Sequence, residues 1–230
     1  MSRASPKPIT LSMEEGPQSV SGLLLVPPAA TACFVFAHGA GAGMAHAFMS
    51  AFADGLAARQ IATLRYQFPF MERGSKRPDT PAVAHEAVRA AVADADRRCP
   101  GIPLIAGGKS FGARMTSQAQ ADNPLPRVAG LAFVGFPLHP AGKPSDDRAE
   151  HLSRVDIPML FLQGTRDELA DVDLLRAVVE RLGTRATLSL FEDADHAFHV
   201  RMRSGRTDTQ VMSAMLDVFS VWVSSITRGL

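Results

Sequence analysis

Ser110 lies in Gly108-Lys109-Ser110-Phe111-Gly112, with a glycine two residues to either side. Ile102 to Ala106 reads as a short buried strand, Gly107 to Gly112 as a tight turn, and the residues beyond as the start of a helix. A serine on so sharp a strand-to-helix corner is held in a strained backbone conformation, so its near neighbours must be small. The corner lifts the hydroxyl clear of the sheet and leaves it at a helix N-terminus. Free N–H groups and the helix dipole there favour developing negative charge. Out of context, a glycine-rich turn with an idle serine would look the same. A serine hydroxyl is a poor nucleophile at neutral pH and needs a base. His196 and His199 are the late histidines that could serve, and Asp167, Asp193 and Asp195 are the carboxylates near them or near a strand end. A serine, a histidine and a carboxylate working together do acyl transfer.

The strand, the Gly-x-Ser-x-Gly pentapeptide and the helix resemble the nucleophile elbow of the α/β-hydrolases. More narrowly, four pieces resemble the small hydrolase-like group that includes testis-expressed protein 30 and the third subunit of the NSL acetyltransferase complex. They are His38-Gly39-Ala40-Gly41-Ala42-Gly43, Arg65-Tyr66-Gln67-Phe68-Pro69-Phe70, Gly107-Gly108-Lys109-Ser110 and Phe136-Pro137-Leu138-His139-Pro140. The superfamily order, serine then acid then histidine, implies Ser110, Asp167 at 57 positions further on, and His196 after 29 more. Asp167 follows the strand Pro158 to Leu162 and a glycine turn; His196 closely follows the strand Thr187 to Phe191. Asp167 could instead only cap the turn after it. His199 is the rival base, further from the strand, and Asp193 and Asp195 read as loop residues. The resemblance also implies an oxyanion hole built from backbone amides, one from Ala40 or Gly41 and one from Phe111. The same glycines would serve a plain strand-to-helix connection.

The rest of the chain must carry these residues. Ile9 to Met13 and Val20 to Val26, around the turn cluster Glu14-Glu15-Gly16-Pro17, predict an antiparallel hairpin. Ala32 to Ala37 is apolar throughout, as a strand buried on both faces must be. Ile61 to Tyr66, Val128 to Val134, Pro158 to Leu162 and Thr187 to Phe191 are further strands. Helices are predicted within Met44 to Arg59, from Thr80-Pro81 onward, after Ser110, over Val172 to Leu182, and through Val211, Met215, Val218, Trp222 and Ile226. Strands alternating with helices predict one α/β domain over residues 1–230, a doubly wound, mostly parallel sheet without a large cap domain, with 1–8 flexible. Ligands of such sheets bind at strand C-terminal ends, where the candidates fall. Gln67 to Asp79 and His139 to Asp156 are expected to be irregular.

Net charge is +1, from 24 Lys and Arg against 23 Asp and Glu, so no nucleic-acid partner is expected. Two cysteines that nothing requires to pair, with no apolar leader, fit a cytoplasmic protein. No stretch is expected to span a membrane. No cofactor or metal is expected: there is no helical His-x-x-x-His and no cysteine cluster, and Gly39 to Gly43 lacks the Gly-Lys-Ser/Thr ending of a phosphate loop. Arg65 and Arg77 are candidate ligands for an anionic small-molecule substrate, and His139 a candidate lining residue. His85 and His151 are expected at the surface. The interval Pro137 to Asp156 is too poor in apolar residues to form a lid. Two functions follow: a serine hydrolase of a small soluble ester or thioester, or a catalytically silent interaction protein on the same fold, with a protein partner.

Overall fold

In the computed structural model the described residues are 5–13 and 19–228. The strand Ala32–Ala37 (β3) is buried at every position. Cys33, Val35 and Ala37 face one apolar layer, Ala32, Phe34 and Phe36 the other. That is why it lacks polar alternation and why it lies inside the sheet. Around it run Lys7–Ser12 (β1), Ser19–Leu25 (β2), Ile61–Tyr66 (β4), Leu104–Lys109 (β5), Val128–Val134 (β6), Met159–Gly164 (β7) and Ala186–Phe191 (β8). The 8-stranded sheet has the order β1-β2-β4-β3-β5-β6-β7-β8. β1 and β2 pair antiparallel and β2 lies antiparallel on β4; every other pair is parallel. This is the α/β-hydrolase fold, with no large cap domain among the described residues.

The helices are Ala47–Ala57 (α1), Pro69–Glu72 (α2), Pro81–Arg98 (α3), Phe111–Asp122 (α4), Val172–Leu182 (α5) and Asp208–Thr227 (α6). Phe52 and Leu56 of α1, with Val211, Met215 and Phe219 of α6, cover Phe34 and Phe36 on one face. The other face takes Ala84, Ala87, Val88 and Ala91 of α3, Met115 and Ala119 of α4, and Leu175 and Val178 of α5. By length and composition alone α6 could cross a membrane, contrary to the sequence expectation. In the fold its apolar stripe is spent on the sheet, with Phe219 fully buried and Trp222 7% exposed.

Several boundaries differ from expectation. The Glu14-Glu15-Gly16-Pro17 turn and residues 1–4 lie outside the described residues. Lys7 and Pro8, expected in a flexible stretch, already pair with Leu24 and Leu23. β5 runs through Gly107 and Gly108 to Lys109 instead of stopping at Ala106. Glycine is needed there because neighbouring backbone leaves no room for a side chain: a Cβ on Gly107 would lie 1.9 Å from the Ala132 carbonyl oxygen. The two irregular segments each contain a helical turn, α2 in the first and a 3-10 helix, Asp147–Arg154, in the second. The 3-10 helix buries Ala149, His151 and Leu152. His151, expected at the surface, is 9% exposed, and its Nε2 is 2.8 Å from Ser117 Oγ on α4. His85 is half-buried.

Candidate active site

Ser110 is the residue between β5 and α4 and occupies the N-cap of α4. Its backbone has φ 53 and ψ −114, the left-handed strain that the corner requires. Gly108 and Gly112 make that corner possible. A Cβ on Gly112 would meet Ala37 carbonyl oxygen at 2.6 Å, and one on Gly108 would meet the same oxygen at 2.7 Å. β5 and α4 therefore press against β3 without side chains between them.

His196 Nε2 accepts from the Ser110 hydroxyl at 2.8 Å, and His196 Nδ1–H donates to Asp167 Oδ2 at 2.6 Å. The Asp167 side chain is fully buried; that of His196 is 28% exposed. A buried carboxylate needs its oxygens satisfied. Oδ2 also accepts from Gln163 Nε2 at 2.6 Å, and Oδ1 from the Leu169 amide at 2.8 Å. The fully buried Gln163 is itself fixed, because its Oε1 accepts from the Phe136 amide at 2.9 Å. With Nδ1 committed to a carboxylate, Nε2 is free to take a proton from Ser110. The arrangement can move that proton and stabilise the imidazolium that results.

The rival residues are occupied elsewhere. His199 is exposed and its Nδ1 lies 2.8 Å from Asp208 Oδ2, which raises its pKa. Asp195 Oδ1 accepts from the amides of Ala197 and His199 and shapes the loop, as a loop residue should. Asp193 takes a positive φ of 58 at the turn.

Phe111 is the first residue of α4, so its N–H is one that a helix leaves without an intrahelical partner. The segment after β3 passes directly beside the serine: a Cβ on Gly39 would lie 3.6 Å from Ser110 Cβ. Ala40 is half-buried and Gly41 exposed in the same segment.

Arg65 does not take the ligand role expected of it. It is 1% exposed, and its Nη1 donates to the Met44 carbonyl and to Ser50 Oγ at 3.0 and 2.8 Å. Its charge is turned inward under the loop between β3 and α1. Gln67 holds the same loop, its Oε1 accepting from the Met44 amide at 2.9 Å. Buried His38 holds the chain after β4, its Nε2 accepting from the Phe68 amide at 3.0 Å. Phe68 and Phe70 then pack on the Phe111 ring at centroid distances of 5.2 and 5.9 Å. The Arg65 to Phe70 stretch is thus the brace of the loop beside Ser110. His139 is also corrected: it is 3% exposed, Nδ1–H donates to the Pro140 carbonyl and Nε2 accepts from the Asp171 amide. Nε2 ties the chain after β6 to the chain after β7, and Nδ1 is taken by the neighbouring carbonyl on its own segment. Arg77 is exposed, and its backbone closes a turn with Ser75.

Sequence reasoning missed Gln163 and His38, although each carries a signal: a polar residue at the C-terminal end of an otherwise apolar strand run. Among the described residues, no group of three His, Cys, Asp or Glu could hold a metal ion.

The chain matches the alpha/beta hydrolase domain family over residues 30–224 and belongs to it. Among solved structures it is similar to a dienelactone hydrolase from Anabaena variabilis, at 20% identity and TM-score 0.79, covering 98% of this chain and 99% of that one. It is also similar to an α/β serine hydrolase without lid from Xanthomonas campestris, at 21% identity and TM-score 0.73, with 94% of each chain covered. A third is the esterase domain of a Rhodothermus marinus protein, at 15% identity and TM-score 0.71, covering 95% of this chain and 97% of that one.

Proposed function

We propose that the protein is a serine hydrolase that cleaves a small soluble ester or thioester through an acyl-enzyme. The observation that carries this reading is the continuous hydrogen-bonded chain from Ser110 through His196 to buried Asp167, begun at a strained helix N-cap. Ser110 Oγ attacks the carbonyl carbon while His196 Nε2 takes the hydroxyl proton. The oxyanion is held by the Phe111 amide and by that of Ala40 or Gly41; one such donor is worth about a hundredfold or more in rate. Collapse expels the alcohol or thiol, which takes its proton from His196. A water then gives a proton to His196, attacks the acyl carbon and releases the acid, restoring Ser110. Asp167 keeps accepting from the Nδ1–H of His196 throughout.

The acyl group in this reading is short. The segment between β6 and β7 spends its apolar residues, Leu138, Ala149, Leu152 and Val155, in the core. Little apolar surface is left there to cover a long chain, and each uncovered methylene forfeits about 0.8 kcal/mol. Within the family, we place the chain in the small group of testis-expressed protein 30 and the NSL third subunit. The support is that three of the four quoted pieces pack around one site: His38 on Phe68, Phe68 and Phe70 on Phe111, and Lys109 on the His196 loop. Buried, unpaired Cys33 and Cys99 support a reducing compartment, the cytoplasm.

A fluorophosphonate probe tests the reading. Labelling is expected in the native protein and lost in Ser110→Ala, with kcat/KM for 4-nitrophenyl esters levelling off at short acyl chains. Folded protein that takes no label would favour the interaction protein instead.

A further inference from the structure

Lys109 precedes the nucleophile and has no part in the steps above. Its Nζ donates to the backbone carbonyl of His196 at 2.6 Å. The ammonium lies 5.2 Å from the centroid of Phe48, on α1, and 5.3 Å from that of Phe198, on the loop after β8. Those two rings are stacked, 5.9 Å apart at 22°. Cation–π contacts of this kind favour the charged amine. An apolar side chain beside the two rings would carry a lower desolvation cost, so a cation there needs a reason. The reason lies in the loop it holds. Between β8 and α6 the chain turns through positive φ at Asp193 and Phe198, 58 and 63, and carries the base between them. That loop is irregular, and a base misplaced by 1 Å costs about a hundredfold in rate.

We propose that Lys109 is a positioning residue for the base: its ammonium clamps the His196 backbone to the residue before the nucleophile and so holds Ser110 and His196 in register. The proposal rests on the reading of Ser110 as nucleophile. One residue thereby couples the end of β5 to a loop 87 positions away in sequence.

The clamp has a pH signature. Burial pushes the Lys109 ammonium down to about 8, against the pull of the Asp167 and Asp195 carboxylates. Those two groups come from the segments after β7 and β8, and His196 is the third titratable neighbour. α1 faces the amine with the Phe48 ring. A neutral amine still donates, but a charge-assisted bond is about twice as strong as a neutral one. The clamp therefore loosens as pH rises through about 8.

The test is turnover of 4-nitrophenyl acetate from pH 6 to 10 by the native protein, Lys109→Met, Lys109→Arg and Ser110→Ala. At pH 7, Lys109→Met is expected to lose about tenfold or more in kcat with KM nearly unchanged. The native kcat should fall through about pH 8 toward the Lys109→Met level, and the Lys109→Met profile should be flat there. Lys109→Arg, whose guanidinium does not titrate in this range, should show no such fall. Native-level kcat in Lys109→Met, or the same alkaline fall in Lys109→Arg as in the native protein, overturns the clamp. If Lys109→Met does not fold, the native and Lys109→Arg profiles decide alone. Native turnover no greater than that of Ser110→Ala would instead sink the nucleophile, and the clamp with it.

Discussion

On the proposed mechanism, Asp167→Asn separates what the carboxylate does for the base from what it does for the fold. The site presents three donors to Asp167: His196 Nδ1–H and Gln163 Nε2 to one oxygen, and the Leu169 amide to the other. An asparagine has one acceptor end. If its oxygen keeps the Leu169 amide, its NH2 faces His196 and Gln163. His196 can adapt by moving its proton to Nε2, and so ceases to be a base toward Ser110. Loss of that tautomer costs about ten-thousandfold in kcat, or about 5 kcal/mol of barrier. Gln163 cannot adapt by flipping its amide, because its Oε1 is held by the Phe136 amide. Two buried donors are left facing each other, at about 1–3 kcal/mol of stability. A second substitution tests the partition. Gln163→Glu in the Asp167→Asn background supplies an acceptor for the new NH2 and keeps one for Phe136. Urea denaturation should show stability partly restored, while ester turnover stays at the single-variant level. Asp167→Asn with turnover within tenfold of native would refute the reasoning. So would a double variant that regains turnover together with stability.

Two further perturbations probe the frame. Gly112→Ala places a methyl 2.6 Å from the Ala37 carbonyl oxygen, where backbone cannot yield, and should cost about 1–3 kcal/mol or more in urea denaturation. Gly41→Ala meets nothing within 4 Å and should stay within about 0.5 kcal/mol; equal midpoints for the two would count against the close β3–α4 packing. His151 is held neutral: burial, then the nearby Arg154, pushes its imidazole down to about 4 from 6.5. The unfolded chain takes up that proton first, so stability is lost as pH falls from about 6.5 toward 4, by about 3 kcal/mol in all. His151→Gln, which can keep the Ser117 contact, should lose less stability than the native protein between pH 7 and 4.5, and parallel losses would disprove this.

What the sequence made legible was whatever repeats locally. β3 is recognisable because every residue of Ala-Cys-Phe-Val-Phe-Ala is apolar, and a strand covered on both faces demands that. The corner at Ser110 is recognisable because backbone crowding leaves glycine as the residue that fits at 108 and 112. Asp167 and His196 could be placed because each follows an apolar strand in an order that the family resemblance supplies. Boundaries failed where a tertiary contact set them. β5 outran its apolar run because Gly107 and Gly108 pair with Ala132 and Phe133 across the sheet. The helical turn Asp147–Arg154 was hidden because its burial comes from α4, which no local pattern reveals.

The braces were the least legible part, and the reason is physical. Arg65, His139, Gln163 and Lys109 each bind a backbone group far along the chain. A backbone carbonyl or N–H exists at every residue, so the partner leaves no mark in the sequence. Only the brace does, as a polar residue at the end of an apolar strand or beside a motif. Such a residue reads as a ligand as readily as a support, which is how Arg65 and His139 came to be expected in the cleft. Burial decides between the two roles. A polar side chain buried inside the fold cannot reach substrate, and its effect on chemistry must pass through the group it holds. By that criterion Arg65, Gln163 and His139 are supports of this site, the first two at the C-terminal ends of β4 and β7 and the third in the chain after β6.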